Sequence, residues 1–296
     1  MRQFARHAIM LCVFISLKLS AATPEVIVTI PRVTDMDHYS SKMLQLALEH
    51  MDNPHSIRPD GGSQRTQTRY VEDIIANKVD VMWAATNQDL EDNMLPIRIP
   101  LLKGLLGHRI FLIQQNDQAK FDRIKTLEDL KKIKLGQGTV WADTQILEAN
   151  ELPVVKAQKY HSLLRMLDGG RFDAFPRGVQ EPWTEVKLID GLNLAVEQRI
   201  MLVYKMPCYF FVNKANSQLA KEIEQGLNRA IADGSFDQLF FNDPAIQNAL
   251  NKANIKNRLV FHLDNPTLPK ETPVDRAELW LDLKNLPAST AQTSLH

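Results

Sequence analysis

From residue 26 onward, apolar positions alternate between two rhythms. Short continuous runs predict buried strands, and stretches with apolar positions three and four apart predict helices. Val26-Ile27-Val28-Thr29-Ile30, closed by Pro31, reads as the first strand. Ser41 to Met51 then carries Met43, Leu44, Ala47, Leu48 and Met51 on one helical face, and Asn53-Pro54 ends it. A loop with Gly61-Gly62 leads to a helix over about Thr66 to Ala76, followed by a strand at Val79 to Trp83. The order β-α-(β)-α-β predicts a parallel sheet covered by helices.

The second half repeats the rhythm. Arg109 to Gln115 reads as a strand, and Thr126 caps a short helix with Glu128 and Asp129 in its first turn. Lys134 to Thr139 reads as a strand into a glycine loop, with a helix starting near Asp143. A helix from Ser162 to Leu167 ends at Gly169-Gly170, and Phe172 to Phe175 reads as a strand. Trp183 to Glu185 starts a connection. Tyr209 to Val212 is a strand, Ser217 to Ala232 a long amphipathic helix, and Phe236 to Phe241 a short one. Pro266, Pro269, Pro273 and Pro287 mark residues 266–296 as an extended tail over the surface, disordered after Leu286. Asn77-Lys78-Val79-Asp80-Val81 and Gly170-Arg171-Phe172-Asp173-Ala174 each follow a helix and open a strand with an aspartate. That likeness points to two similar lobes.

The first 22 residues break the pattern. Arg2 and Arg6 precede an apolar run from Ala8 to Leu19, and Ser20-Ala21-Ala22 supplies small residues for cleavage. This is the order of a secretory signal peptide, and the run is short for a membrane span of about 20 residues. A periplasmic location in a Gram-negative cell is therefore expected. An uncleaved N-terminal anchor is the competing reading. Without residues 1–22, the balance of 35 basic and 35 acidic side chains becomes 32 against 35, a net of −3. No basic face of the kind nucleic-acid binding requires is evident, so no nucleic-acid partner is expected. Cys12 lies in the presumed signal. Cys208, within an apolar run, leaves the mature chain without an internal disulfide and reads as a buried small hydrophobe.

Leu127-Glu128-Asp129-Leu130, then Gly136-Gln137-Gly138-Thr139, then Gly170-Arg171-Phe172-Asp173 resembles the second lobe of the polar amino-acid-binding proteins, solute-binding family 3. Ala230-Ile231-Ala232-Asp233-Gly234-Ser235-Phe236 resembles that family's C-terminal helix and its stop. The resemblance covers about residues 25–245, and Leu95 to Arg109 fits a divergent branch. It implies an α/β, two-lobe periplasmic-binding-protein-like II fold: two mixed sheets with flanking helices, joined by a two-strand hinge. Lobe 1 would be residues 23–103 plus 207–265, and lobe 2 residues 104–206. A small molecule would bind between the lobes, and an inner-membrane permease or a sensor kinase would read the closed form.

Both family anchors for a zwitterionic amino acid are altered. Thr86 to Asn93 contains no arginine where the ligand carboxylate would be gripped. Pro176-Arg177-Gly178 stands where an aspartate would receive the amino group. The resemblance therefore does not support an amino-acid substrate, and Arg65, Arg69 and Arg177 point to a small anionic ligand instead. Arg177 is the leading contact, its fork suited to a carboxylate or phosphate, unless it forms an ion pair with Glu181 or Glu185. Arg65 and Arg69 open the helix before Asp80, beside Gln64 and Gln67, where the helix dipole also favours anions. Thr139 and Asp143 flank the glycine loop, and Trp83, Trp141 and Phe175 could wall the pocket, although core packing is the plainer explanation for Trp83 and Phe175. No metal-ligand spacing, phosphate loop or nucleophile elbow is present, and no cofactor is expected. Glu91-Asp92 reads as a solvated pair. The alternative is an enzyme on the same fold, resembling the periplasmic cyclohexadienyl dehydratases, with Glu181, Glu185 or Asp143 as acid or base. A protein-interaction role for the proline-rich tail is a third reading.

Overall fold

The computed structural model describes residues 26–32, 38–53, 55–63, 65–187 and 190–283. The signal-peptide reading, Gln64 and the chain end after Leu286 lie outside the described residues. Among the described residues, no helix is long and apolar enough to cross a membrane.

Lobe 1 opens with β1 (Val26–Ile30), α1 (His38–Glu49) and β2 (His55–Pro59). β1 and β2 pair in parallel, Val28 opposite Ile57. α1 buries Met43, Leu44, Ala47 and Leu48, the face its periodicity predicts. Next come α2 (Gln67–Ile75), β3 (Val81–Ala85), α3 (Gln88–Asn93) and β4 (Leu95–Ile97). Thr66 caps α2 by accepting from the Arg69 amide. The chain crosses into lobe 2 as β5 (His108–Gln114), α4 (Gln118–Phe121), α5 (Leu127–Leu130), β6 (Leu135–Gly138), α6 (Ala142–Ala149) and β7 (Val154–Ala157). Then follow α7 (Tyr160–Asp168), β8 (Phe175–Gly178), α8 (Pro182–Glu185), β9 (Leu194–Val196) and β10 (Ile200–Val203). A second crossing returns to lobe 1 as β11 (Cys208–Val212), α9 (Ser217–Ala232), α10 (Ser235–Asn242) and α11 (Pro244–Lys252). β12 (Leu259–His262) comes last.

β11 is the centre of the sheet β3-β11-β4, antiparallel to both neighbours and wholly buried. In lobe 2, β12-β10-β5-β8 form one path with β9 also on β5, while β6 pairs in parallel with β7. A bridge from Leu135 to Ala174 ties β6 to the residues before β8, also in parallel.

The two aspartates noted in the sequence have matching roles. The Asp80 amide donates to the Thr29 carbonyl, and Asp80 Oδ2 accepts from the Thr29 amide, both at 2.7 Å. The Asp173 amide donates to the Lys134 carbonyl at 2.8 Å, and Asp173 Oδ2 accepts from the Lys134 amide at 2.7 Å. The preceding helices end alike. Asn77 (φ 54°) and Gly170 (φ 67°) take the left-handed conformation. The next amides, of Lys78 and Arg171, reach back five residues to the carbonyls of Asp73 and Met166. Each lobe thus carries one copy of a helix-stop-aspartate clasp.

Three expectations need correction. Leu259–His262, expected in lobe 1, pairs in parallel with β10 and extends the lobe-2 sheet. Glu91 is not solvated. It lies in α3, 9% exposed, and accepts from the Thr86 hydroxyl and the Arg98 guanidinium. The strand expected at Phe172 begins instead at Phe175 and continues through Pro176 to Gly178, because the Asp173 clasp bends the preceding residues.

Candidate site at the converging lobe edges

In both lobes, strand ends point toward the hinge. In lobe 1, Ala85 closes β3 opposite Cys208, just after the second crossing. In lobe 2, Gly178 closes β8 opposite Arg109, just after the first. β6 runs in the same direction as β8, so its Gly138-Thr139 loop and the start of α6 reach the same edge. Carboxyl ends of strands and amino ends of helices meeting at a crevice are the usual ligand position in α/β folds.

On lobe 1, a cavity of about 180 Å³ is lined by Pro31, Arg32, Arg65, Gln67, Tyr70, Met82 and Trp83. Arg32 follows β1 and is exposed. Arg65 is held by Asp60 at 2.7 Å and Asp73 at 2.5 Å, and sits over the Tyr70 ring at 5.8 Å. Arg69 stands apart from this cavity. Half exposed, it pairs with Glu72 at 2.6 Å. Trp83 packs edge-on to Phe210.

On lobe 2, the site residues form one buried network. Arg177, 5% exposed, grips Glu185 through Nε and Nη2 at 2.7–2.9 Å and donates to Glu181 at 3.0 Å. Its guanidinium lies 4.8 Å from the Phe175 ring, 5.3 Å from Trp141 and 5.5 Å from Tyr160. Trp141 stacks on Phe175 at 6.2 Å. Three ring faces can attract one cation because each aromatic face is electron-rich. Arg109, 3% exposed, donates to Asp143 at 2.6 Å and to Glu181 at 3.1 Å, and the Tyr204 hydroxyl donates to Asp143 at 2.5 Å. Thr139 is exposed on the adjoining loop.

The structure thus brings Trp141, Asp143, Phe175 and Arg177 together and places Thr139 beside them. Arg65 and Trp83 share the lobe-1 cavity, and Arg69 lies outside it. Sequence reasoning missed Arg32, Arg109 and Tyr204. Arg109 carries a readable signal: it is a charge opening the apolar strand His108–Gln114, where burial demands a partner.

Burial pushes the Glu185 carboxyl above the usual range while the Arg177 fork draws it back. Burial and the nearby Asp143 carboxylate push the Tyr204 hydroxyl well up, keeping it a neutral donor. Two guanidiniums face three carboxylates here, so the ionised network carries one excess negative charge. Glu181, 19% exposed, is the network carboxylate that reaches solvent. A side chain on Gly178 would begin 3.1 Å from Glu181 Oε2. The Glu181 carboxylate lies against the Gly178 backbone, whose amide donates to it.

No family model matches the chain. No curated protein matches it either. Solved structures do. A Salmonella typhimurium periplasmic binding protein with high arginine specificity shares 14% identity, covering 73% of this chain and 97% of its own, at a TM-score of 0.53. An ancestral amino-acid-binding protein, a precursor of cyclohexadienyl dehydratase, shares 15% identity over 73% of this chain and 93% of its own, at 0.53. A histidine kinase sensor domain with similarity to periplasmic binding proteins shares 13% identity over 74% and 95%, at 0.52. Likeness at this identity is a likeness of architecture: the chain has the two-lobe α/β fold of the periplasmic binding proteins.

Proposed function

We propose that this protein is a periplasmic receptor that closes its two lobes on one small solute. The observation that carries the reading is that β3 and β8 both end beside the crossings between the lobes, Ala85 opposite Cys208 and Gly178 opposite Arg109. The lobe-1 cavity of about 180 Å³ is smaller than a drug-sized pocket of about 300–1,000 Å³, which suits a metabolite completed by contacts from lobe 2.

The expected anionic ligand loses its carriers. Arg65, Arg69 and Arg177 are each matched by carboxylates of their own lobe. The charges left over differ between lobes. Arg32 enters no ion pair among the described residues, and the α2 amino terminus stands beside it. Lobe 2 contributes the excess carboxylate at Glu181. These charges fit a dipolar solute, its carboxylate on lobe 1 and its cationic or hydrogen-bond-donating end on lobe 2, with Thr139 at the rim and Trp141 and Phe175 as apolar support. An inner-membrane permease or a sensor kinase is the partner class for the closed form. Glu185 and Asp143, two of the acids an enzyme would use, are buried in ion pairs with Arg177 and Arg109, so binding accounts for this geometry better than turnover does.

Calorimetric titration with free L-amino acids and small dicarboxylates tests the reading. One dipolar solute should bind with 1:1 stoichiometry, and Arg32→Ala should weaken it by about 10- to 100-fold, as loss of a charged hydrogen bond implies. Full affinity in both Arg32→Ala and Glu181→Gln would remove the site from this crevice.

A further inference from the structure

After β12, the chain runs back from lobe 2 across the outside of the hinge to lobe 1. Its lobe-2 anchor is firm. Arg258 pairs with Glu197 at 3.2 Å, both side chains fully buried, and Asn150 exchanges two hydrogen bonds with Asp264 at 2.8 and 3.2 Å. Its lobe-1 anchor is Arg276 donating to Asn228 of α9 at 3.1 Å.

Between these anchors, the segment touches both crossing segments. On the second crossing, Asn265 donates to the Lys205 carbonyl at 2.8 Å, and the Lys205 ammonium lies 4.1 Å from the Trp280 ring. On the first, the Leu281 amide donates to the Lys103 carbonyl at 2.8 Å. The Lys103 ammonium, buried, donates to the Glu278 carbonyl and to Asp237 of α10, each at 2.7 Å. Trp280 is fixed in turn by its ring N–H to the Pro273 carbonyl at 2.9 Å.

The hinge backbone under Trp280 is unusual. Lys103 (φ 48°) and Gly104 (φ 75°) are consecutive left-handed residues. A lysine holds that conformation only where its surroundings impose it. A Cβ on Gly104 would stand 2.5 Å from the Trp280 ring, so glycine makes the seat for the indole.

We infer that residues 264–283 form a strap that pins the hinge from outside and limits the angle between the lobes, with Trp280 as its clasp. Release of the clasp frees the lobes to swing, so anything that engages the strap regulates access to the crevice. This inference rests on the hinge contacts and not on the identity of the solute.

Spin labels at exposed Glu224→Cys on lobe 1 and Arg171→Cys on lobe 2 read the interlobe distance by pulsed dipolar spectroscopy in the full chain without added solute. Trp280→Ala should at least double the width of the distance distribution, and Trp280→Phe should keep it narrow. Equal widths in the parent and Trp280→Ala would overturn the strap. Should Trp280→Ala fail to fold, hydrogen exchange on the unsubstituted protein decides. The Leu281 amide should exchange as slowly as the Leu105 amide of the hinge turn. Exchange of Leu281 at the rate of an unstructured chain would overturn the proposal.

Discussion

Arg177 shows how one residue's sequence supports two chemistries. Its spacing to Glu181 and Glu185 made an ion pair legible, and its place at a strand end made a ligand contact equally so. The structure provides the ion pair, with three aromatic rings around it. Removing one partner of a buried pair leaves the other charge stranded, at a cost of about 3–5 kcal/mol. Arg177→Met should therefore lower unfolding free energy by that amount in urea, and Arg177→Met with Glu185→Leu should recover most of it. Two histidines give opposing pH terms. The Leu46 carbonyl and the Asp233 carboxylate both accept from His50, raising its proton affinity above 6.5. Its contribution is complete below pH 6.5 and fades as pH rises through the raised value. Burial lowers His108 to about 4, so the unfolded chain takes up that proton first and stability falls as pH drops from 6.5 toward 4. Thermal melts between pH 4 and 9 should show His108→Leu flattening the acid loss and His50→Gln removing stability at pH 6 but not at pH 9. Arg32 and Tyr204 were not legible, because their roles arise from strand ends and crossings that no local spacing announces.

At the scale of elements, periodicity places α1, α2, α9 and β1 within about three residues, because each has one clear apolar face or run. It failed where tertiary contact overrode the local signal. Glu91 reads as solvated beside Asp92, yet Thr86 and Arg98, the latter seven residues on, both donate to its buried carboxylate. β12 was hidden by its setting after three helices and before a proline-rich tail. Its pairing with β10 is flanked by the buried Arg258–Glu197 bond. Helix contact also constrains α9. A Cβ on Gly226 would meet the Ala47 carbonyl oxygen of α1 at 2.1 Å, and backbone cannot yield as a side chain tip can. Alanine gains about 1 kcal/mol in helix propensity over glycine, but overpacking costs about 1–3 kcal/mol and here pries two helices apart. Gly226→Ala should thus lower the melting temperature, measured by circular dichroism, despite the better helix former. A rise would mean that α1 and α9 separate freely.

At the scale of the molecule, the recurrence of an aspartate after each helix stop makes two lobes legible in the sequence. Asp80 and Asp173 each staple the residue after a helix stop to the strand beside it, so the pattern recurs wherever that turn recurs. The solute was less legible, since net charge at the crevice depends on which carboxylates reach which guanidiniums across the fold. The central claim is that the two lobes together enclose one small dipolar molecule. Native mass spectrometry after incubation with pooled free L-amino acids and dicarboxylates tests it most directly. The account predicts one adduct per chain, lost in the Arg32→Ala, Glu181→Gln double variant. A chain that stays bare at millimolar solute, or an adduct indifferent to both substitutions, would contradict it.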